Sequence, residues 1–369
     1  MAFGLAYADH APLIPLVAAD LGLDDLRAGL LSTALFLSYL VTTLLGIAPA
    51  ARLGPRRSVF VGLALATTGT ALLAVAPVYG VALAGKAVQG IGSALAFVSA
   101  TRYIAGLYGE RRSHFALGLY GAGFPLGSAL ALAVMPTLAV TLGGWREAFA
   151  AEAILVGGAT LAWTWSPRVP WTPAPGDMRD ALRCANCWWT SLQHAAGFGL
   201  ALASGTWITV YLLREFQLPL ALSGVLGSLL LDVAVVARTL GGWLVAREHA
   251  PSRLVMRAGD ASIIAGVALL ALPGRPLAVA LAGAVLVGVG VGVPYAAVFN
   301  TAAASLRSAP AAAQGLAAIG GTAGVMIGAP IMGLAVQTFG FSAAWAVVGG
   351  VAALAGGATF VMRGEEDLP

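Results

Sequence analysis

The chain has 369 residues, of which 59% are hydrophobic and 10% are charged, and its formal net charge is +4. Ordinary soluble domains carry about 25% charged residues, so this composition excludes a soluble globular protein and predicts a surface that mostly faces lipid. The positive charge does not indicate nucleic-acid binding, because the arginines lie in short loops between apolar runs.

The apolar runs predict an all-α membrane protein of twelve transmembrane helices in two pseudo-symmetric six-helix halves, since about 20 apolar residues are needed to cross a bilayer. A segment rich in proline and charge follows the sixth run. It predicts an N-terminal half at 1–166, a cytoplasmic linker at 167–187 and a C-terminal half at 188–369. The predicted spans are 1–19, 28–51, 59–78, 80–106, 115–140, 148–166, 188–213, 222–246, 255–273, 276–305, 312–338 and 343–362.

The distribution of arginine predicts the orientation. Arginines are frequent in the loops on one side of the predicted membrane and sparse on the other, so the positive-inside rule places both termini in the cytoplasm. Lys86 is the only lysine among the 20 basic residues, a usage typical of a GC-rich bacterial genome. We therefore expect a multi-pass protein of a bacterial cytoplasmic membrane.

Charged residues within the first half are candidates for a solute path or for proton coupling, because a charge at the bilayer centre costs about 2.5–3.5 kcal/mol on insertion scales. Asp9 and His10 interrupt the first span just before Pro12. They could relay protons or belong to a bend in the helix. Lys86 and Arg102 lie in the fourth span, where they could line a cavity or extend towards the membrane surface.

The eighth span carries an acid and an arginine, Asp232 and Arg238. They lie about 120° apart around one helix, so they do not form a pair along its surface. The planar guanidinium of Arg238 can bind a carboxylate or an oxyanion in bidentate fashion, or it can form a structural ion pair. Asp232 needs a partner on another helix or a proton. His194, at the start of the seventh span, is interpreted as structural.

An internal repeat relates the two halves. Leu240, Gly241 and Arg247 recur at the spacing of Leu45, Gly46 and Arg52, and Arg238 then falls on Thr43. Rows of small residues in the fifth and eleventh spans also match, and such rows let helices approach closely. The predicted packing glycines are Gly118, Gly123, Gly127, Gly315, Gly320 and Gly324.

Four motifs are placed at specific points of the predicted topology. They are the loop 51–57 after the second span, the stretch 241–247 at the end of the eighth, Lys86–Gly92 (KAVQGIG) in the fourth and Gly144–Arg146 after the fifth. Together they resemble the major facilitator superfamily over essentially the whole chain. The resemblance implies the twelve-helix fold of that family and secondary transport by alternating access between the two halves. The gating residues that it implies are Gly46, Arg52, Gly54, Arg56, Arg57, Gly241, Gly242 and Arg247.

The chain departs from the family pattern at three positions. Ala51 and Ala246 stand where the family usually has an aspartate that holds the inner gate, and Lys86 stands where it usually has an arginine. Within the family, the segment 237–242 (ARTLGG) is similar to the nitrate/nitrite-porter and cyanate-permease branch. Arg238 matches one anion-binding arginine of nitrate porters, and Thr43 occupies the position of the other.

The predicted function is transport of a small inorganic or organic anion, with a proton or in exchange, because the cations of the spans outnumber the acids. One alternative is a proton-driven exporter of hydrophobic compounds that uses Asp9 or Asp232. Another is a receptor or assembly protein on the same scaffold. The sequence has no phosphate-binding loop and no metalloprotease motif, so we predict no enzyme activity, no cofactor and no metal site. We expect a monomer that binds a small solute and lipid and no nucleic acid.

Overall fold

The computed structural model describes residues 2–46, 53–170, 178–246 and 250–368, without the side chains at 105, 109–119, 122 and 246. Arg52 and Arg247, two of the predicted gating residues, therefore lie outside the described residues, as does the packing of Gly46 and Gly118. The described residues form helices and connecting turns and contain no strand.

The first unit of the fold comprises Met1–Ala174 and Leu212–Val225. Its first span is divided at Asp9 and His10, where an α-helix gives way to a 3-10 turn, and its second span ends in a π-helix. Its helices are Ala2–Ala8, Ala11–Leu13, Ile14–Leu21, Asp25–Val41, Thr42–Gly46, Pro55–Ala74, Tyr79–Leu142 and Trp145–Trp163.

The second unit comprises Pro175–Tyr211 and Leu226–Pro369. The seventh span contains a π-helix, and the tenth span is divided at Val293 and Pro294. The helices from the linker onward are Arg179–Arg183, Ala185–His194, Ala195–Gly199, Leu200–Phe216, Leu220–Ala246, Ser252–Ala271, Leu277–Gly292, Tyr295–Ser305, Pro310–Phe339, Phe341–Ala358 and Glu365–Asp367. The domain boundaries proposed from the sequence stay a prediction.

The fourth and fifth spans are two separate apolar stretches, as predicted, although helical hydrogen bonding continues between them over Tyr79–Leu142. The Phe97 and Tyr120 rings nevertheless stack with centroids 5.2 Å apart, and the Tyr120 hydroxyl donates to the Phe97 carbonyl at 3.1 Å. A straight helix would separate these residues by about 34 Å at 1.5 Å per residue. The chain therefore reverses between them, and the two spans lie side by side.

Eleven helical stretches among the described residues are long and apolar enough to cross a membrane. The sixth predicted span, Trp145–Trp163, has 19 residues but is less apolar, since it carries Arg146, Glu147 and Glu152. Its length still suits a membrane crossing of about 17–25 residues.

Close helix packing positions the eighth span against the tenth. A Cβ atom added to Gly241 would lie 2.7 Å from the Val293 carbonyl carbon, and one added to Gly292 would lie 2.6 Å from the Ala234 carbonyl oxygen. Side chains larger than hydrogen do not fit at such distances. These glycines thus fix the register between the helix that carries Arg238 and the helix that begins at Tyr295.

We expect Gly241→Ala to destabilise the protein by about 1–3 kcal/mol, the usual cost of overpacking a close contact. Gly242→Ala is the matched control, because its added Cβ would meet only the Ala296 Cβ, at 3.9 Å. Both changes gain the same helix propensity of about 1 kcal/mol. Thermal unfolding of the purified protein in detergent measures the difference. Equal unfolding temperatures for the two variants would contradict the packing described above.

Candidate functional site

A buried polar cluster lies within the first unit where the first and fourth spans meet. The Asp9, Lys86 and Gln89 side chains are 0% exposed. The Lys86 ammonium forms an ion pair with Asp9 Oδ1 and donates to the Ala6 carbonyl at 2.8 Å. Gln89 Nε2 donates to Asp9 Oδ2, also at 2.8 Å. The Asp9 carboxylate is thus held on both oxygens, as a buried charge requires.

Two further side chains extend this Asp9 cluster into the second and third spans. His10 Nε2 lies 2.9 Å from the Ser32 hydroxyl, and Gln89 Nε2 donates a second hydrogen bond to Thr70 Oγ1 at 2.8 Å. The interruption of the first helix after Ala8 places Asp9 and His10 where they can make these contacts. The structure thus brings together three of the residues singled out from the sequence, Asp9, His10 and Lys86.

Glu152 belongs to the same region and was missed in the sequence analysis. It lies in the sixth span, is 3% exposed and interacts electrostatically with Asp9 and Lys86. Neither of its carboxyl oxygens has a hydrogen-bond donor among the described residues. The available signal was an acid inside an apolar run, AAEAILVGG, which is uncommon in a membrane span. It was not singled out because it lies close to the start of the predicted span at 148–166.

A second cluster surrounds Arg238 in the second unit. The Arg238 guanidinium carbon lies 4.3 Å from the centroid of the Tyr295 ring, a cation–π contact. The side chain is half-buried, and its buried Nε has no acceptor among the residues that the structure describes. In the described parts of the chain Arg238 forms no salt bridge with a carboxylate. A cation in this position can accept an anionic ligand.

His194 lies in this Arg238 cluster, although the sequence indicated only a structural role. Its ring stacks on Phe198 with centroids 5.2 Å apart and meets Phe299 edge-on at 4.9 Å. His194 Nδ1 lies 3.0 Å from the Ala317 carbonyl, which can only accept, so Nδ1 carries the hydrogen. Nε2 is buried and has no partner within the described ranges. The next five residues form the π-helix Ala195–Gly199, and such segments are frequent at functional sites.

Among the described residues, Asp232 and Arg102 form no ion pair with the cluster of their own unit. The Asp232 side chain is exposed, and its carboxylate accepts a hydrogen bond from the Ser228 hydroxyl, one turn earlier, at 2.9 Å. It therefore does not neutralise Arg238. Arg102 is half-buried in the fourth span.

The predicted gating residues that the structure describes have local roles within their units. Gly54 has a φ of 76° and precedes the third span, a left-handed conformation that favours glycine. Arg56 donates to the Ser166 carbonyl at 2.7 Å and to the Thr164 carbonyl, at the carboxyl end of the sixth span, where a cation is favourable. Arg57 is exposed.

Of the glycines predicted to pack in the eleventh span, Gly320 and Gly324 contact the seventh span and Gly315 contacts the linker. A Cβ on Gly324 would lie 2.9 Å from the Ala195 carbonyl oxygen, and one on Gly315 would lie 3.2 Å from Met178 Cε. Gly320 lies directly against the Ser191 backbone. This close approach brings the eleventh span, with the Ala317 carbonyl, up to His194. Gly123 and Gly127 lie in the helix Tyr79–Leu142.

A model of the Major Facilitator Superfamily matches residues 1–310. The chain belongs to this superfamily. Its members have twelve transmembrane helices in two six-helix halves, so the predicted fold class is confirmed. Membership also indicates a transporter rather than an enzyme. This superfamily member is a multi-pass membrane protein, as its composition predicted.

Two curated relatives are similar in sequence. The chain is 29% identical to a protein of Thermus thermophilus named probable nitrate/nitrite antiporter NarK1, over 42% of this chain and 39% of that protein. It is 26% identical to a protein of Cupriavidus necator named probable sulfoacetate transporter SauU, over 72% of this chain and 66% of that protein. The chain thus matches less than two thirds of the length of each.

Solved structures of a bacterial homologue of the human lysosomal transporter Spinster share the fold. The inward-facing, unoccupied form superposes with a TM-score of 0.76 at 18% identity, over 98% of this chain and 94% of that chain. The occupied form gives a TM-score of 0.77 at 17% identity, over the same shares of the two chains. At this identity the likeness establishes the architecture alone.

The burial of the Asp9–Lys86 ion pair leads to a prediction about the unfolding temperature. Removing one partner of a buried ion pair leaves an uncompensated charge and costs about 3–5 kcal/mol. We therefore expect Asp9→Asn and Lys86→Met each to lower the unfolding temperature strongly, and the double variant to unfold nearer the wild-type temperature than either single variant.

The control for this prediction is Asp20→Asn. Asp20 pairs with Arg146 at 2.6 Å, and both side chains are at least one third exposed, so its loss should cost about 1 kcal/mol or less. Additive effects of the Asp9 and Lys86 substitutions in a double-mutant cycle would contradict the ion pair.

Proposed function

We propose that this chain is a secondary active transporter that moves a small anion across the bacterial cytoplasmic membrane by alternating access, with Arg238 as its principal anion contact. Support for an anion comes from the different charge balance of the two clusters. In the first unit the charge of Lys86 is compensated by Asp9. In the second unit Arg238 has no carboxylate partner among the described residues, so its charge is available to a ligand.

The surroundings of Arg238 suit a small planar or tetrahedral anion. The guanidinium lies over the Tyr295 ring. The ring contacts the face of the guanidinium, so the N–H groups at the guanidinium edge can form bidentate hydrogen bonds with an anion. Its buried Nε lacks an acceptor, and an unsatisfied buried donor of this kind costs about 1–3 kcal/mol. An anion oxygen would supply the missing acceptor.

His194 and the surrounding aromatic rings offer the remainder of the site. His194 interacts electrostatically with Arg238, and its Nε2 has no partner within the described residues. A protonated imidazole would give a second donor to the same anion, whereas a neutral one would accept from a protonated anion. Phe198, Tyr295 and Phe299 limit the volume.

The names of the curated relatives favour the same solute class. Nitrate, nitrite and sulfoacetate are all small oxyanions. They differ in charge and length, so the names support an anion in general and do not select one. One cationic site is consistent with two modes of transport: symport of the anion with a proton, and exchange of the anion for a second anion.

The proposal includes the orientation and the domain arrangement. Both termini lie in the cytoplasm, two halves at 1–166 and 188–369 are joined by a cytoplasmic linker, and a monomer is the working unit. Support for the orientation comes from the arginines at the start of the third and ninth spans, among them Arg56, Arg57, Arg253 and Arg257.

A carboxyl-terminal fusion checks this orientation. Green fluorescent protein fused after residue 369 should fluoresce in cells, and alkaline phosphatase at the same position should stay inactive, because the first folds in the cytoplasm and the second only outside it. Active phosphatase with dark fluorescent protein would invert the topology.

For Arg238 we expect Arg238→Ala to weaken anion binding by about ten- to a hundredfold, since a hydrogen bond to a charged group contributes about 1.5–3 kcal/mol. Arg238→Lys should recover part of the loss, as it keeps the charge without the planar fork. Thermal-shift titrations and proteoliposome uptake with nitrate, nitrite, sulfoacetate and acetate measure both effects. Thr239→Ala, the exposed neighbour on the same helix, should behave as wild type.

The alternatives make different predictions in the same assays. A proton-driven exporter of hydrophobic compounds would keep its activity in Arg238→Ala and lose it in Asp9→Asn or Asp232→Asn. A receptor or assembly protein would give no flux with any solute. Wild-type uptake by Arg238→Ala would reject the anion site.

A further inference from the structure

We propose that Glu152 is a proton-binding site of this transporter, and that the proton held there is the one exchanged with water during the transport cycle. The proton-binding chemistry of Glu152 is independent of the solute. Its role in the cycle rests on the proposed function.

Glu152 differs from the other buried acid of its cluster in its hydrogen bonding. Asp9 accepts hydrogen bonds from Lys86 and Gln89 on separate oxygens, an arrangement that stabilises an ionised carboxylate. Glu152 is equally enclosed, at 3% exposure, but neither oxygen has a donor among the described residues. An ionised carboxylate in that setting would be a buried charge without hydrogen bonds.

The count of charges around Glu152 leads to the same conclusion. One ammonium, Lys86, and one carboxylate, Asp9, already neutralise each other. An ionised Glu152 would leave the cluster with an uncompensated negative charge away from water. A proton on Glu152 removes that charge, and its O–H can then donate to the Asp9 carboxylate, with which it interacts.

The other polar groups of the Asp9 cluster and of the neighbouring spans already have hydrogen-bond partners. The remaining titratable member of the cluster is His10, which contacts Asp9 and Ser32. The third span contributes the hydroxyls of Thr67, bonded to Thr160 at 3.1 Å, and Thr70, bonded to Gln89. Arg56 binds the opposite end of the sixth span, at Thr164 and Ser166.

The reaction at this site is a simple proton exchange. Water delivers one proton to a Glu152 Oε when the carboxylate is hydrated, and the neutral acid is then buried beside Asp9. On release the proton returns to water, and Lys86 is the cation near enough to compensate the carboxylate that remains. Proton release therefore requires either hydration of the cluster or division of Lys86 between two acids. Either change couples the protonation of Glu152 to the packing of the first, fourth and sixth spans.

Infrared spectroscopy of the purified full-length protein tests the proton directly. We expect a protonated-carboxyl stretching band that shifts in heavy water and disappears in Glu152→Gln. Glu147→Gln, an exposed acid on the same helix, should keep the band, and Asp260→Asn identifies the contribution of the buried acid that binds Gln193. Glu152→Asp should keep a band at a changed frequency. An unchanged band in Glu152→Gln overturns the proposal.

Proteoliposomes test the coupling. With labelled nitrate or sulfoacetate as the probe, Glu152→Gln should retain counterflow at the wild-type rate within about twofold. Its accumulation driven by a pH gradient should fall to the level reached without a gradient. Full gradient-driven accumulation by Glu152→Gln overturns the coupling role. If wild type moves neither probe, the proposed anion transport fails, while the infrared result still decides whether Glu152 holds the proton.

Discussion

The buried ion pair between Asp9 and Lys86 is the interaction on which the first unit depends. It joins the first and fourth spans in a region where neither water nor lipid can satisfy a charge. The interruption of the first helix after Ala8 and the Lys86 hydrogen bond to the Ala6 carbonyl both serve this contact. Without it the unit would hold an isolated ammonium or carboxylate, and the helices could not close around either.

The two units use charge in different ways. The Asp9 cluster is internally compensated and joins residues of five spans through hydrogen bonds or electrostatic contact, with Glu152 as its least satisfied member. The Arg238 cluster is built of aromatic rings, and its cation has no carboxylate partner in the described part of the chain. Fixed charge that is already paired has little affinity for a further ion, whereas an unpaired cation has much. The proposed division between a proton site and a solute site follows from this difference.

Hydropathy, loop arginines and the internal repeat were enough to predict the twelve-span family fold, because lipid imposes a simple rule on segment length and polarity. Contacts between helices were less accessible. Asp232 stays a predicted site residue; its exposed side chain and its hydrogen bond with Ser228 could not be predicted, because a single sequence does not show which face of a helix packs inward.

Glu152 was not singled out, and the contacts of His194 were not predicted, for the same physical reason. Their partners come from other spans, and a single sequence records no distances between helices. The reversal between the fourth and fifth spans was predicted, whereas the helical hydrogen bonding that continues through it was not. Local rules thus identified the spans and Arg238, whereas the surroundings of each charge had to come from the structure.

The contact between Gly241 and the Val293 carbonyl is made by the backbone, and it fixes the position of the helix that carries Arg238. Glycine has no side chain whose rotamer could change at this contact. The backbone that carries Arg238 therefore keeps its position beside the start of the helix that carries Tyr295 when the residues around it change. Phe198 and Phe299 can therefore vary in size while the charge stays in position. Under the proposed function, ordinary substitution of these rings would adapt the site to shorter or longer anions while Arg238 continues to bind the negative charge.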